Sequence, residues 1–270
     1  MSLPFSRYVP RFFLIRSALI ILVLIATSSV FLPRAKPSWA AQASTCQTDG
    51  SLTMGKYWLH NDLWGKASSG RQCISDKSIS GSTISWSTNW NWTGQSDDIK
   101  SYASAVLGKH WGKKWVNTTG LPIQLSEKKN VNTSWKFSVR QQNPNKLDIS
   151  YDLWLYTISN PTNASNPSDE LIIWLYRAGG AGPVGTCQAT VKIDGASWDL
   201  YKGNVGWNVF SFVRKTNTTS AKLNLKDFYK DLISTGLLSR SRYLSSVEAG
   251  AEIFTGNGQL DTASYSVAVQ

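Results

Sequence analysis

Two histidines and three cysteines are all that the 270-residue chain offers of the side chains that most often bind zinc. They form no HExxH or CxxC spacing, so metal chemistry is not expected. The GxSxG elbow of a serine hydrolase is missing too. Nothing repeats, and no stretch has the low hydrophobicity of a disordered segment. Acidic residues are fewer than basic ones, 17 against 28, for a net charge of +11. Setting aside residues 1–40, which hold five of the basic residues and no acidic one, lowers that to +6. So mild an excess suits solubility or loose attraction to anionic polymers and does not indicate nucleic acid. The cluster Lys109, Trp111, Lys113, Lys114 and Trp115 mixes bases with aromatics and is expected to be an exposed hairpin.

What is present begins with a segment unlike the rest. Arg7, Arg11 and Arg16 lead into an apolar run from Ser17 to Leu32, and Ser38-Trp39-Ala40 has the small-x-small form of a cleavage site. The expectation is a signal peptide over 1–40, with an uncleaved N-terminal anchor as the alternative. Either way residues 41–270 face the outside, as a secreted or extracellular domain. An oxidising compartment favours a bridge, and Cys46 to Cys73 is the expected pair, with Cys187 left as a buried thiol. The odd count leaves the pairing open.

Hydrophobic residues make up 41% of the chain, enough for one large domain or two small ones. Segments rich in Trp, Tyr, Thr, Ile and Val recur between clusters of Gly, Asn, Ser and Pro. Strands are expected at 56–64, 81–92, 99–107, 134–139, 147–157, 170–177, 186–193, 196–202, 207–214 and 264–269. One helix is expected over Asn224–Ser234, where Leu225, Phe228, Tyr229 and Leu232 fall at helical spacing and Asn224 stands at the N-cap. Short strands at close spacing point to an all-β sandwich or barrel.

Period-two alternation places Glu170, Ile172 and Trp174 on one face of a strand and Leu171, Ile173 and Leu175 on the other. In 147–157 it places Asp152, Trp154 and Tyr156 together, opposite Tyr151, Leu153 and Leu155. Each strand thus packs an aliphatic face on a core and projects an acid and an aromatic from the other. A third carboxylate lies at Glu252 or Glu248, which alternation alone does not separate.

Several stretches, in one order, resemble glycoside hydrolase family 12, the small secreted β-1,4-glucanases and xyloglucanases. They are HNDLWG at 60–65, ISWSTNWNWTG at 84–94, SYDLWL at 150–155, DELIIWLYRAGGAGPVG at 169–185, VFSFVRKTNTTSAKLNLKDFYKDL at 209–232 and AEIFTG at 251–256. The resemblance implies Glu170 as nucleophile, Glu252 as general acid/base and Asp152 as supporting aspartate, with no counterpart for Glu248. It implies substrate contacts at Trp64, Asn61, Asp62, Trp174 and Pro183. Ile172 and Ile253 depart from the usual methionine and proline, and Asp62 stands where asparagine is common. The implied fold is a concanavalin-like jelly roll of two curved sheets, with an open concave groove and one helix on the convex side.

The implied activity is retaining hydrolysis of β-1,4-glucan by a monomer, with no cofactor, no nucleic acid partner and no membrane contact after signal removal. A tryptophan-lined groove suits such a polymer, because the C–H faces of pyranose rings stack on indole. A non-catalytic carbohydrate-binding sandwich is the alternative, and the presence of all three acids argues against it. Residues 180–185 fit GxGxxG, yet the TCQATVKI that follows alternates like a strand where a dinucleotide site needs a helix.

Overall fold

The computed structural model describes residues 42–65, 70–112 and 119–270, without the side chains of 112, 143 and 144. The expected signal segment and the Lys113, Lys114 and Trp115 part of the basic cluster lie outside the described residues. Of that cluster, Lys109 follows a strand, and Trp111 lies in a short 3-10 segment, His110–Gly112, kinked at its own positive φ of 47°.

Among the described residues there are also fourteen strands, one α-helix and a 3-10 turn at Leu125–Glu127. The first six are β1 (Ser44–Thr45), β2 (Gly50–Met54), β3 (Tyr57–Asn61), β4 (Gly70–Ser80), β5 (Thr83–Trp92) and β6 (Ser101–Gly108). The short β7 (Ile123–Gln124) precedes β8 (Val131–Tyr156), β9 (Asp169–Ala178), β10 (Thr186–Ile193), β11 (Ala196–Asn204), β12 (Asn208–Arg214) and β13 (Ser220–Asn224). Helix α1 (Leu225–Ser234) leads to β14 (Tyr243–Val269).

Hydrogen bonding runs through β8 and β14 from one layer of the sandwich into the other. The C-terminal half of β8 pairs with residues 243–253 of β14 and with β9, in a layer ordered β2-β3-β6-β14-β8-β9-β12-β11-β10. Its N-terminal half pairs with residues 257–269 of β14 and with β13, in the layer that also holds β1, β4 and β5. Two register shifts, between Ile253 and Asn257, sit where β14 passes from layer to layer. An extra residue on one strand bends it and increases its twist, which lets one chain segment serve both sheets. The segments expected as separate strands at 134–139 and 147–157 are therefore parts of one.

The core lies between the layers. Leu147, Ile149, Tyr151, Leu153 and Leu155 of β8 meet Leu171, Ile173 and Leu175 of β9 and Val247, Ala249, Ala251 and Ile253 of β14, all buried. Trp86, Trp135, Tyr151 and Tyr265 stack edge and face within it. Helix α1 lays Phe228 against Trp198 and Phe212, on the core side of β11 and β12. Asn224 stands at the N-cap without a side-chain cap bond, because its Oδ1 accepts from the Val131 backbone N–H.

Cys46 and Cys73 are joined in a disulfide. Cys187 is exposed, which corrects the expectation of a buried thiol. It lies on β10, which ends its layer among the described residues.

Candidate active site

With one face of each strand committed to the core, the other faces of β3, β6, β14, β8 and β9 form a continuous floor. Across it the register sets Glu248 opposite Asp152 and Glu252 opposite Asp148 on β14 and β8. Asp152 in turn faces Ile172 on β9, and Trp154 faces Glu170, so Asp152 and Glu170 are diagonal neighbours. Gly250, between the two glutamates of β14, permits a close approach to β6: a Cβ there would lie 2.4 Å from the Ala103 carbonyl oxygen.

Five carboxyls thus share one surface: Asp148, Asp152 and Glu248 are buried, and Glu170 and Glu252 are half-buried. Burial disfavours the charged form and is the first cause of every shift seen there. It holds the Asp152 and Glu252 carboxyls well above the usual range. For Asp152 the charges of Glu170, Glu248, Glu252 and Asp148 add to this; for Glu252 the charge and hydrogen bond of Asp148 do. Asp148 is pushed up to about 7, held back by donors that include the Ser150 hydroxyl at 2.7 Å. Glu170 is pushed up to about 8, opposed by the Trp207 indole N–H, which donates to its Oε2 at 2.8 Å. The N–H given to Glu170 favours its ionised form, whereas the charge of Asp148 favours the proton on Glu252. Paired carboxyls held at different protonation states are what separates a nucleophile from an acid.

The sequence reading found Glu170, Asp152 and Glu252, and they stand on one floor. It missed Asp148, although alternation places it on the Asp152 face, and it set Glu248 aside. It also missed Trp207, which sits in the β11–β12 turn and has no local pattern that marks it. Trp207, Trp154 and Trp111 pack edge to face beside Glu170.

The expected substrate residues are divided. Trp64 is 57% exposed, as a stacking platform must be. Pro183 is half-buried, and Asp62 is nearly buried, with Oδ2 3.7 Å from His110 Nε2. Asn61 is closed to solvent, and its amide donates to the carbonyls of Gln47 and Gln72. Trp174 is only 2% exposed, packed with Ala181, Val213 and Phe254. Its indole N–H has no partner among the described residues.

His60, Asp62 and His110 each bring a nitrogen or oxygen within 4.8 Å of the others. Each histidine also meets a carboxylate, His60 that of Asp49 at 3.2 Å and His110 that of Glu248 at 2.8 Å. This trio is the part of the described site with metal-ligand chemistry, and its arrangement serves equally as a hydrogen-bonded charge network.

A sequence profile described as glycosyl hydrolase family 12 matches residues 55–270. Endoglucanase S of Pectobacterium parmentieri is 38% identical over 224 residues, 80% of this chain and 82% of that protein. A xyloglucan-specific endo-beta-1,4-glucanase A of Aspergillus niger is 36% identical over 254 residues, 92% of this chain and 99% of that protein. Among solved structures, a native family 12 xyloglucanase from Bacillus licheniformis superposes with a TM-score of 0.77 at 37% identity, covering 84% of this chain and all of that one.

Proposed function

Because the chain belongs to glycosyl hydrolase family 12, we propose that it cuts internal β-1,4 linkages of glucans by double displacement, with xyloglucan as the preferred polymer. Support for the polymer comes from relatives named as xyloglucan-specific enzymes that align over nearly their whole length. The observation that carries the reaction is the clustering of Glu170 and Glu252 with Asp152 between their strands, each acid in a different setting.

In the first step the Glu170 carboxylate attacks the anomeric carbon while Glu252 gives its proton to the departing glycosidic oxygen. The C–O bond to the leaving chain breaks as the glycosyl ester forms. In the second step Glu252, now a carboxylate, takes a proton from water, and the hydroxide oxygen displaces Glu170. Two inversions return the original anomer. This chemistry calls for carboxyls about 5 to 5.5 Å apart, and Glu252 is near enough for its charge to act on Glu170. Trp207 steadies the ionised nucleophile through its N–H, and Asp152, kept protonated by burial and its neighbours, orients Glu170. Trp64 supplies an exposed apolar face for a pyranose ring.

The enzyme acts outside the cell as a monomer, after loss of residues 1–40. The Arg-flanked apolar run and the Cys46–Cys73 disulfide support that compartment. The test is reducing-end release from xyloglucan and from unbranched cellulose-like or mixed-linkage glucan, with Glu170→Gln as control. Faster release from xyloglucan, abolished in the control, is expected. Turnover retained by Glu170→Gln, or inverted anomeric product, would overturn the scheme.

A further inference from the structure

A second concavity, of about 690 Å³, lies in the other layer of the sandwich, and none of the five floor carboxyls lines it. The register explains its chemistry. Ile74, Trp90, Trp92, Phe137 and Leu260 of β4, β5, β8 and β14 point into the core, so the alternate positions face outward. Two neighbouring rows then cross the four strands. One reads Arg71, Asn91, Asn257, Gln142, and the next reads Cys73, Asn89, Gln259, Arg140. Apart from the disulfide-bonded Cys73, every position is an amide or an arginine. Asparagine is depleted in strands because its side chain competes for backbone groups, so such a block costs the sheet stability and calls for another reason.

The charged corners are set in place. Arg71 rests its Nη2 3.3 Å from Cys46 Sγ, against the disulfide. Arg140 and Lys77 both pair with Asp261, two cations to one carboxylate, and no acid lines the groove. Positive charge is left at both sides, three strand spacings or about 14 Å apart. Between them Asn91, Asn89, Asn257 and Gln142 are exposed. Each amide offers a donor and an acceptor, which is what a sugar hydroxyl pairs with.

We propose that this groove is a second, non-catalytic polysaccharide site that takes a chain of uronic acids and so anchors the enzyme on a polymer it does not cut. A neutral glucan would stack on an open aromatic face, and Trp90, the aromatic residue in the lining, is 2% exposed. Nucleic acid would ask for the same stacking and for a denser row of cations. A uronan matches what is there: its hydroxyls meet the amides, and its carboxylates take paired N–H bonds from a guanidinium. The net charge of +6 on residues 41–270 adds long-range attraction to such a polymer.

Binding is read by calorimetry on whole protein carrying Glu170→Gln, so the result does not depend on hydrolysis. Polygalacturonate should bind, and saturating xyloglucan oligosaccharides should not displace it. Its methyl ester, and polyglutamate as an anionic polymer without sugar hydroxyls, should each bind about tenfold more weakly or less. Arg71→Gln with Arg140→Gln should weaken binding of polygalacturonate by about tenfold or more, and the lysine pair, which keeps the charge but not the fork, by less. In enzyme with Glu170 intact, the glutamine pair should leave hydrolysis of soluble xyloglucan unchanged, which also shows that it folds. No binding, displacement by the oligosaccharides, equal binding of the ester or of polyglutamate, or a glutamine pair that binds as before would each overturn the proposal. If the glutamine pair fails to fold, the ester and polyglutamate comparisons, made with both arginines in place, decide.

Discussion

Asp148 and Glu252 stand directly opposite each other in the register of β8 and β14, on the same floor. The charge of Asp148 raises the Glu252 carboxyl, which burial raises first. Asp148 therefore bears on the protonation of the acid/base although it attacks nothing.

Asp148→Asn removes that partner's charge. The Glu252 carboxyl should then titrate lower by about one unit or more, as read by ¹³C NMR of labelled carboxyls. An unchanged Glu252 would mean that burial alone holds its proton.

Glu170 and Glu252 should fail differently. Glu170→Ala should lose turnover on every natural substrate yet transfer glycosyl units from an α-glycosyl fluoride, since the vacated space admits an acceptor. Glu252→Ala should lose about 10² to 10⁴ in rate on poor leaving groups. On an aryl glycoside whose phenolate leaves unaided it should accumulate glycosyl-enzyme, and azide should rescue it as a β-azide product. A β-azide from Glu170→Ala together with an α-azide from Glu252→Ala would reverse the two roles.

Trp207→Phe keeps an aromatic ring in the Trp111 and Trp154 cluster but removes the N–H given to Glu170. That bond favours the ionised nucleophile, so its loss should raise the acid limb of kcat/KM and slow turnover about tenfold, in line with one buried hydrogen bond to a charge. Trp207→Leu should share the pH shift; a shift confined to one of the two would assign the effect to packing.

Stability should fall as pH rises from about 5 to 8. Asp148, Asp152, Glu170 and Glu252 all have folded values raised from 3.8 or 4.5, so between those values and about 7 to 8 the folded state binds more protons than the unfolded one. Their contribution is fully present below the unfolded pKa and is lost through the folded one. His60, lowered to about 4, acts in the opposite direction between about 6.5 and 4, but it is one group against four. Thermal unfolding followed across this range, with Asp148→Asn flattening the slope, checks the sign. A Tm that rises steadily toward pH 8 would contradict it.

Much of this molecule is determined locally. Alternation along DELIIWLYRA and TCQATVKI is enough to place β9 and β10 within a residue or so, because a half-buried strand must separate its faces. The helical spacing of Leu225, Phe228, Tyr229 and Leu232 does the same for α1. Resemblance in ordered motifs brought out Glu170, Asp152 and Glu252. What alternation cannot specify is which strand lies opposite which, and at what offset. Asp148 meets Glu252, and Glu248 meets His110, only because β14 joins β8 and β6 in one particular register between segments far apart in the chain. Whether a side chain is covered is likewise a property of its neighbours. Asn61 closes under Gln47 and Gln72, Trp174 under Phe254 and Val213, and Cys187 stays open because β10 ends its sheet. The sequence by itself determined which faces are polar and which residues can do acid chemistry; the long-range pairing of β8 and β14 decided which of those acids stand opposite one another, since a carboxyl's charge depends on what stands within a few ångströms of it.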